Sequence, residues 1–126
     1  MEGVIYTTGG FARKAGVSVR TIRYYDKQGI LKPSHVSESG YRLYTDGDFG
    51  KLQKILTLKY LGFSLEEIQE ISMNDSDQDF VRRSLELQMD LVRKKIESLT
   101  AVEASLKEAS RMIGRTKEVD WKTVLH

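Results

Sequence analysis

Apolar positions along the chain fall first into short runs of helical spacing separated by glycines. One long run without glycine or proline then extends from Phe80 to Ile113. The first short run, Phe11, Ala12 and Ala15, predicts a helix entered from Thr7 or Thr8, either of which can cap it. Gly16 ends it as a left-handed C-terminal residue. Gly9 and Gly10 weaken this helix, since a glycine costs about 1 kcal/mol relative to alanine in a helix interior, though less near a helix start. Ser18 begins a second helix after a tight turn, its hydroxyl placed to cap the amide near Thr21. Val19, Ile22 and Tyr25 share one face of that helix, whereas Arg20, Arg23 and Tyr24 point elsewhere, and Gly29 closes it. Helix, short glycine-containing turn and second helix make a helix-turn-helix pattern.

Periodicity then changes. Pro33 pushes its predecessor out of helical angles, so Ile30 to Pro33 predict an extended stretch. Polar residues Ser34 to Gly40 suit a hairpin loop and Tyr41 to Tyr44 a returning strand, a small two-stranded wing. Thr45 or Asp46 can cap a third helix carrying Phe49, Leu52, Ile55, Leu56 and Leu58. Gly62 ends it, and Ser64 to Glu67 open a fourth with the Ser-x-x-Glu pattern of a capping box. The acidic stretch Asn74 to Asp79 suits a turn followed by a helix start, where the dipole favours anions.

In the long run, Leu85, Met89, Val92, Ile96 and Leu99 keep the alternating spacing of a heptad seam. Val102, Leu106, Ala109 and Ile113 resume the alternation after one interval out of step, a stammer that locally overwinds a coiled coil. Such a helix is about 50 Å long at 1.5 Å per residue, and its stripe needs a partner. Gly114 to Lys117 predict a break. Asp120 to Leu125 form a short amphipathic fragment, too small for a ligand-binding domain.

Composition narrows the class. A chain of 126 residues has room for one domain, or one small domain plus an extension. With 40% apolar residues it can build a core. No segment approaches the roughly 20 consecutive apolar residues of a membrane span, and the N-terminus lacks a secretory signal, so a cytoplasmic protein is expected. The absence of cysteine removes disulfides, thiolate metal sites and thiol redox sensing. His35 and His126 are the only histidines and do not share a helix at ligand spacing, so neither metal nor cofactor is expected. Net charge is +2, but residues 1–63 carry ten Lys/Arg against five Asp/Glu, while residues 64–126 carry ten against thirteen. Only the first half therefore suits a polyanion.

Arg20 and Arg23, near the start of the second helix of a helix-turn-helix, stand where side chains reach base edges and phosphates. Tyr24 offers its hydroxyl to a phosphate, whereas Tyr25 falls on the core face. Arg42 points opposite to Tyr41 and Leu43, because strand side chains alternate. It either supports the hairpin or lies along the minor groove. Tyr41 and Tyr44 divide between aromatic packing and phosphate contact. Lys59 and Tyr60 could make a second, weaker wing. No catalytic constellation emerges: Glu66/Glu67 and Asp75/Asp77 occupy helix-start positions, and Gly9-Gly10 lacks the lysine and preceding strand of a phosphate loop.

Several motifs recur together: Tyr6 to Gly16, Val17 to Asp26, Gly29-Ile30-Leu31-Lys32-Pro33, Ser39 to Tyr44, and Leu61 to Ile68. In this order and at these distances, across about residues 4 to 71, the chain resembles the MerR family of bacterial transcription regulators. The resemblance implies a mainly α fold: a winged helix-turn-helix DNA-binding domain followed by a long antiparallel coiled-coil dimerisation helix. On this chain the expected divisions are residues 1–74, 75–114 and a short tail, 115–126. The resemblance further implies a homodimer on a pseudo-palindromic promoter, which bends and untwists the DNA so that RNA polymerase meets realigned promoter elements. Ser18, Arg20, Thr21, Arg23 and Tyr24 would then contact DNA from the recognition helix, Tyr41 and Arg42 from the first wing, and Lys59 and Tyr60 from the second. Leu85, Met89, Val92, Ile96, Leu99, Val102 and Leu106 would form the dimer interface.

Two departures stand out. Gly10 occupies a first-helix position where the family usually has an acid. The cysteines of metal-sensing members are missing, which points to the organic-ligand or multidrug type with an unidentified small-molecule effector. Such members usually carry a further C-terminal domain, so the regulator is either naturally short or an N-terminal portion. A second reading, a coiled-coil interaction module whose helix-turn-helix binds protein, is set apart by tight binding to a palindrome but not to scrambled DNA. An enzyme is not expected.

Overall fold

The computed structural model describes residues 4–124; the tail residues Leu125 and His126 lie outside them. The chain divides into two units, one ending at Val81 and one beginning at Arg82.

The first unit opens on a strand, β1 (Ile5–Thr7). Helix α1 (Thr8–Ala15) follows, with Thr7 as its cap: the Thr7 hydroxyl accepts from the Gly10 amide at 3.1 Å. That bond sits in the first turn, where the two glycines cost least. Gly16 closes α1 at φ 73°, satisfying the Ala12 and Arg13 carbonyls from its own amide. Helix α2 (Val19–Lys27) starts at Ser18, whose hydroxyl accepts from the Thr21 amide. Its C-cap is Gln28, and the following Gly29 takes φ 76°.

The wing is a three-stranded sheet rather than the two strands expected. β2 (His35–Val36) and β3 (Arg42–Thr45) pair antiparallel, and β1 adds to the other edge of β3 in the order β1-β3-β2. Tyr6 lies opposite Tyr44, and Val36 opposite Arg42. The first wing strand falls at His35–Val36, later than the Ile30–Pro33 stretch, because Leu31 is drawn into the core beside α2.

Helix α3 (Asp46–Tyr60) is capped by Thr45, with Asp48 completing a capping box. Helix α4 (Leu65–Met73) repeats the device with Ser64 and Glu67. The core gathers Phe11, Ile22, Tyr25, Leu31, Tyr44, Leu52, Ile55 and Ile68, with Phe11 stacked on Tyr44 at 4.4 Å between ring centres. Phe80 and Val81, in the first turn of α5 (Gln78–Thr116), pack against this core and belong to the first unit.

The second unit consists of the rest of α5 and the short α6 (Trp121–Val124). At 39 residues α5 runs about 58 Å. It passes through Gly114, where a break was expected; the turn falls at Lys117, which takes φ 63°. One glycine costs only about 1 kcal/mol, and the Thr116 hydroxyl adds a bond to the Met112 carbonyl in that last turn. Among the described residues no helix is long and apolar enough to cross a membrane.

Candidate nucleic-acid interface

Helix α2 buries Ile22, Tyr25 and Asp26 and turns Arg20, Arg23 and Tyr24 outward. Tyr24 is 47% exposed, with its ring 6.1 Å from that of buried Tyr25. Arg20 and Arg23 enter no ion pair among the described residues, so both guanidinium groups keep their donors for an external acceptor. Ser18 and Thr21 are joined through their hydroxyls at 3.0 Å, so Ser18 caps the helix as well as bordering this surface.

The wing stands on two buried carboxylates that sequence reasoning did not single out. Asp26, in the last turn of α2, accepts from Arg42 Nε through Oδ2 and faces Lys32 Nζ at 3.3 Å through Oδ1. Arg42 reaches it because side chains two apart on a strand share a face, and Tyr44, on that same face, is fully buried. The Arg42 side chain remains 53% exposed, and the bond through Nε leaves its terminal nitrogens outside this pair. Asp48, in the first turn of α3, accepts on Oδ2 from Ser34 N at 3.1 Å, Ser34 Oγ at 2.7 Å and Thr45 N at 3.0 Å. Both limbs of the hairpin are thereby fixed to helices. The only signal for these two residues in the sequence was an acid placed at a helix end beside a wing.

Two of the five acids in residues 1–63 are thus buried and committed. With those two set aside, what residues 1–63 show to solvent is more basic than their formal charge. Arg23, Lys27, Lys32 and Arg42 surround Asp26 in one cleft. Tyr41 is 71% exposed near the hairpin tip, its amide bonded to Ser37 Oγ. Lys59 and the 88% exposed Tyr60 stand at the end of α3 and do not line the cleft. Tyr44 goes wholly to packing. Its hydroxyl has no hydrogen-bond partner among the described residues, and burial, then the nearby Asp26 carboxylate, raises its pKa above 10.0.

In the second unit Leu85, Met89, Val92, Ile96, Leu99, Val102 and Leu106 are all between about one-third and two-thirds exposed, an uncovered apolar seam on α5. Ser105 Oγ donates to the Val124 carbonyl at 3.1 Å, holding α6 to α5 beside an apolar groove lined by Ala101, Val102, Ala109 and Trp121.

Fold and topology define a winged helix-turn-helix protein, a class that lays its second helix in the major groove. The chain belongs to the MerR family: a profile described as "MerR HTH family regulatory protein" matches residues 6–74, and one described as "MerR, DNA binding" matches residues 50–109. It is 38% identical over 116 residues to the HTH-type transcriptional activator TipA of Streptomyces coelicolor, covering 90% of this chain. It spans 46% of TipA, about half that protein's length. A MerR family transcriptional regulator from Bacillus cereus has a similar structure, with 34% identity and a TM-score of 0.79, covering 96% of this chain and 91% of that one. HiNmlR, a MerR family regulator lacking the sensor domain and bound to promoter DNA, aligns at 25% identity and a TM-score of 0.66, covering 89% of this chain and 95% of its own. The family is one of transcription regulators rather than enzymes.

Proposed function

We propose that this chain is a sequence-specific DNA-binding transcription regulator that works in the cytoplasm as a homodimer on a pseudo-palindromic promoter. The observation that carries the reading is the solvent face of α2, where Arg20 and Arg23 stand without ion-pair partners among the described residues, in the more basic half of the sequence. Arginine presents a planar fork that matches guanine edges and phosphates. Arg20, Arg23 and Tyr24 would enter the major groove, with Ser18 and Thr21 at its edge. Tyr41 and Arg42 would approach the flanking backbone or minor groove, and Lys59 and Tyr60 a second stretch of backbone. The HiNmlR complex with promoter DNA supports this use of the fold.

Pairing through the α5 seam would offer two recognition helices to one site. Residues 1–74 would then bind DNA, 75–114 dimerise and 115–126 form a tail. Regulation would follow by bending and untwisting the promoter so that RNA polymerase meets realigned elements, a readout of DNA shape as much as of bases. A small-molecule effector would bias that deformation; no metal is called for. The test is binding of a duplex selected by the protein from a random-sequence pool, measured by fluorescence anisotropy. Arg20→Ala is expected to cost about 1–3 kcal/mol, and log affinity to fall linearly with log salt. Unchanged affinity in Arg20→Ala combined with Arg42→Ala would refute the reading.

A further inference from the structure

Asp26 occupies an unfavourable place by local rules. It lies in the last turn of α2, where the helix dipole disfavours an anion, and its side chain is only 7% exposed. A carboxylate is held in such a position only when tertiary partners compensate it. Those partners come from the two limbs of the wing: Lys32, ahead of β2, and Arg42, on β3. It is also the one acid among the cations of its cleft. A single side chain therefore ties the recognition helix to both limbs of the hairpin.

The chemistry of the Arg42 contact is informative. Its Nε is used toward Asp26, and because a guanidinium is planar and rigid, fixing Nε fixes the direction of the terminal fork. We propose that Asp26 is a positioning residue for DNA recognition: without touching DNA, it aims the Arg42 fork and holds the wing at a set angle to α2. This rests on the DNA-binding reading above. Removing Asp26 takes away a negative charge, which by itself strengthens binding to any polyanion. A positioning role predicts the opposite sign on a specific site, and this difference separates it from simple electrostatics.

The experiment compares Asp26→Asn, Arg42→Gln, Arg42→Lys and the double variant Asp26→Asn/Arg42→Gln. Each is measured on the selected duplex and on a scrambled duplex of the same composition across a salt series, with urea melts to report folding. Asp26→Asn is expected to weaken binding to the selected duplex about tenfold while binding the scrambled duplex as well as or better than the parent. The double variant is expected to lose clearly less than the product of the two single effects, because the two residues share the Asp26–Arg42 contact and only the Lys32 tie is lost in addition. Parent-like or tighter binding of the selected duplex by Asp26→Asn overturns the proposal, as does a double variant that loses the product of the two single effects. Should Asp26→Asn fail to fold, Arg42→Lys decides. It keeps the charge but cannot present an aimed fork, so it is expected to fall with Arg42→Gln, and parent-like affinity overturns the proposal. If the parent chain enriches no duplex from the pool, the DNA-binding reading itself fails, which is a distinct result.

Discussion

Asp48 and Glu67 occupy the same position of two capping boxes, yet their removal should have very different consequences. Glu67 is exposed and, among the described residues, accepts only from the Ser64 amide, at 2.8 Å. In Glu67→Ala that amide returns to water, and the expected loss is about 0.5 kcal/mol. Asp48 is 1% exposed and collects three donors, two of them from Ser34 at the base of the wing. Asp48→Ala leaves the part-buried amides of Ser34 and Thr45 without their acceptor; the Ser34 hydroxyl can still turn toward Thr45 Oγ1, 3.4 Å away. An unsatisfied buried donor costs roughly 1–3 kcal/mol, so two that are partly buried give an expected loss of about 2–4 kcal/mol. Urea denaturation followed by circular dichroism measures both variants, at one fixed protein concentration because pairing of copies adds to apparent stability. If Asp48→Ala falls within about 0.5 kcal/mol of Glu67→Ala, the wing is not anchored through this carboxylate and the reasoning is wrong.

Other expectations follow from single contacts. Tyr44→Phe deletes a buried hydroxyl that lacks a partner, so it is expected to leave stability unchanged or raise it by about 1 kcal/mol in the same urea assay. Burial raises the pKa of Tyr25 and Tyr44 above 10.0, so the folded state favours the neutral phenols. That contribution is complete below pH 10.0 and is lost as pH rises through the folded values; alkaline melts should show falling stability, less steeply in Tyr44→Phe. Ile96→Asp places a charge in the middle of the exposed seam, and sedimentation at micromolar concentration is expected to show monomer where the parent shows dimer.

Much of the fold was legible because its determinants are local. Thr7, Ser18, Thr45 and Ser64 cap helices through bonds to amides three residues away, and Gly16 and Gly62 end helices by adopting positive φ. The seam of α5 is a periodicity, and periodicity survives without knowledge of neighbours. Likewise the outward face of α2, with Arg20, Arg23 and Tyr24, follows from the angular spacing of Val19, Ile22 and Tyr25. The family motifs carry the same local signals in a fixed order.

What the chain order concealed was long-range pairing. β1 is three residues long and shows no alternation of its own; it becomes a strand only because β3, far along the chain, offers an edge. Gly114, by the opposite logic, looked like a break and is carried through by the helix around it. The parts of the candidate interface divide in the same way. The sequence alone specified which residues make up the candidate surface, since arginine and tyrosine at helical spacing imply donors and rings on one face. Only the tertiary structure decided which of them are anchored. Asp26 and Asp48 read as ordinary acids until folding withdraws them from water, and a carboxylate withdrawn from water must draw in the donors that then hold the wing.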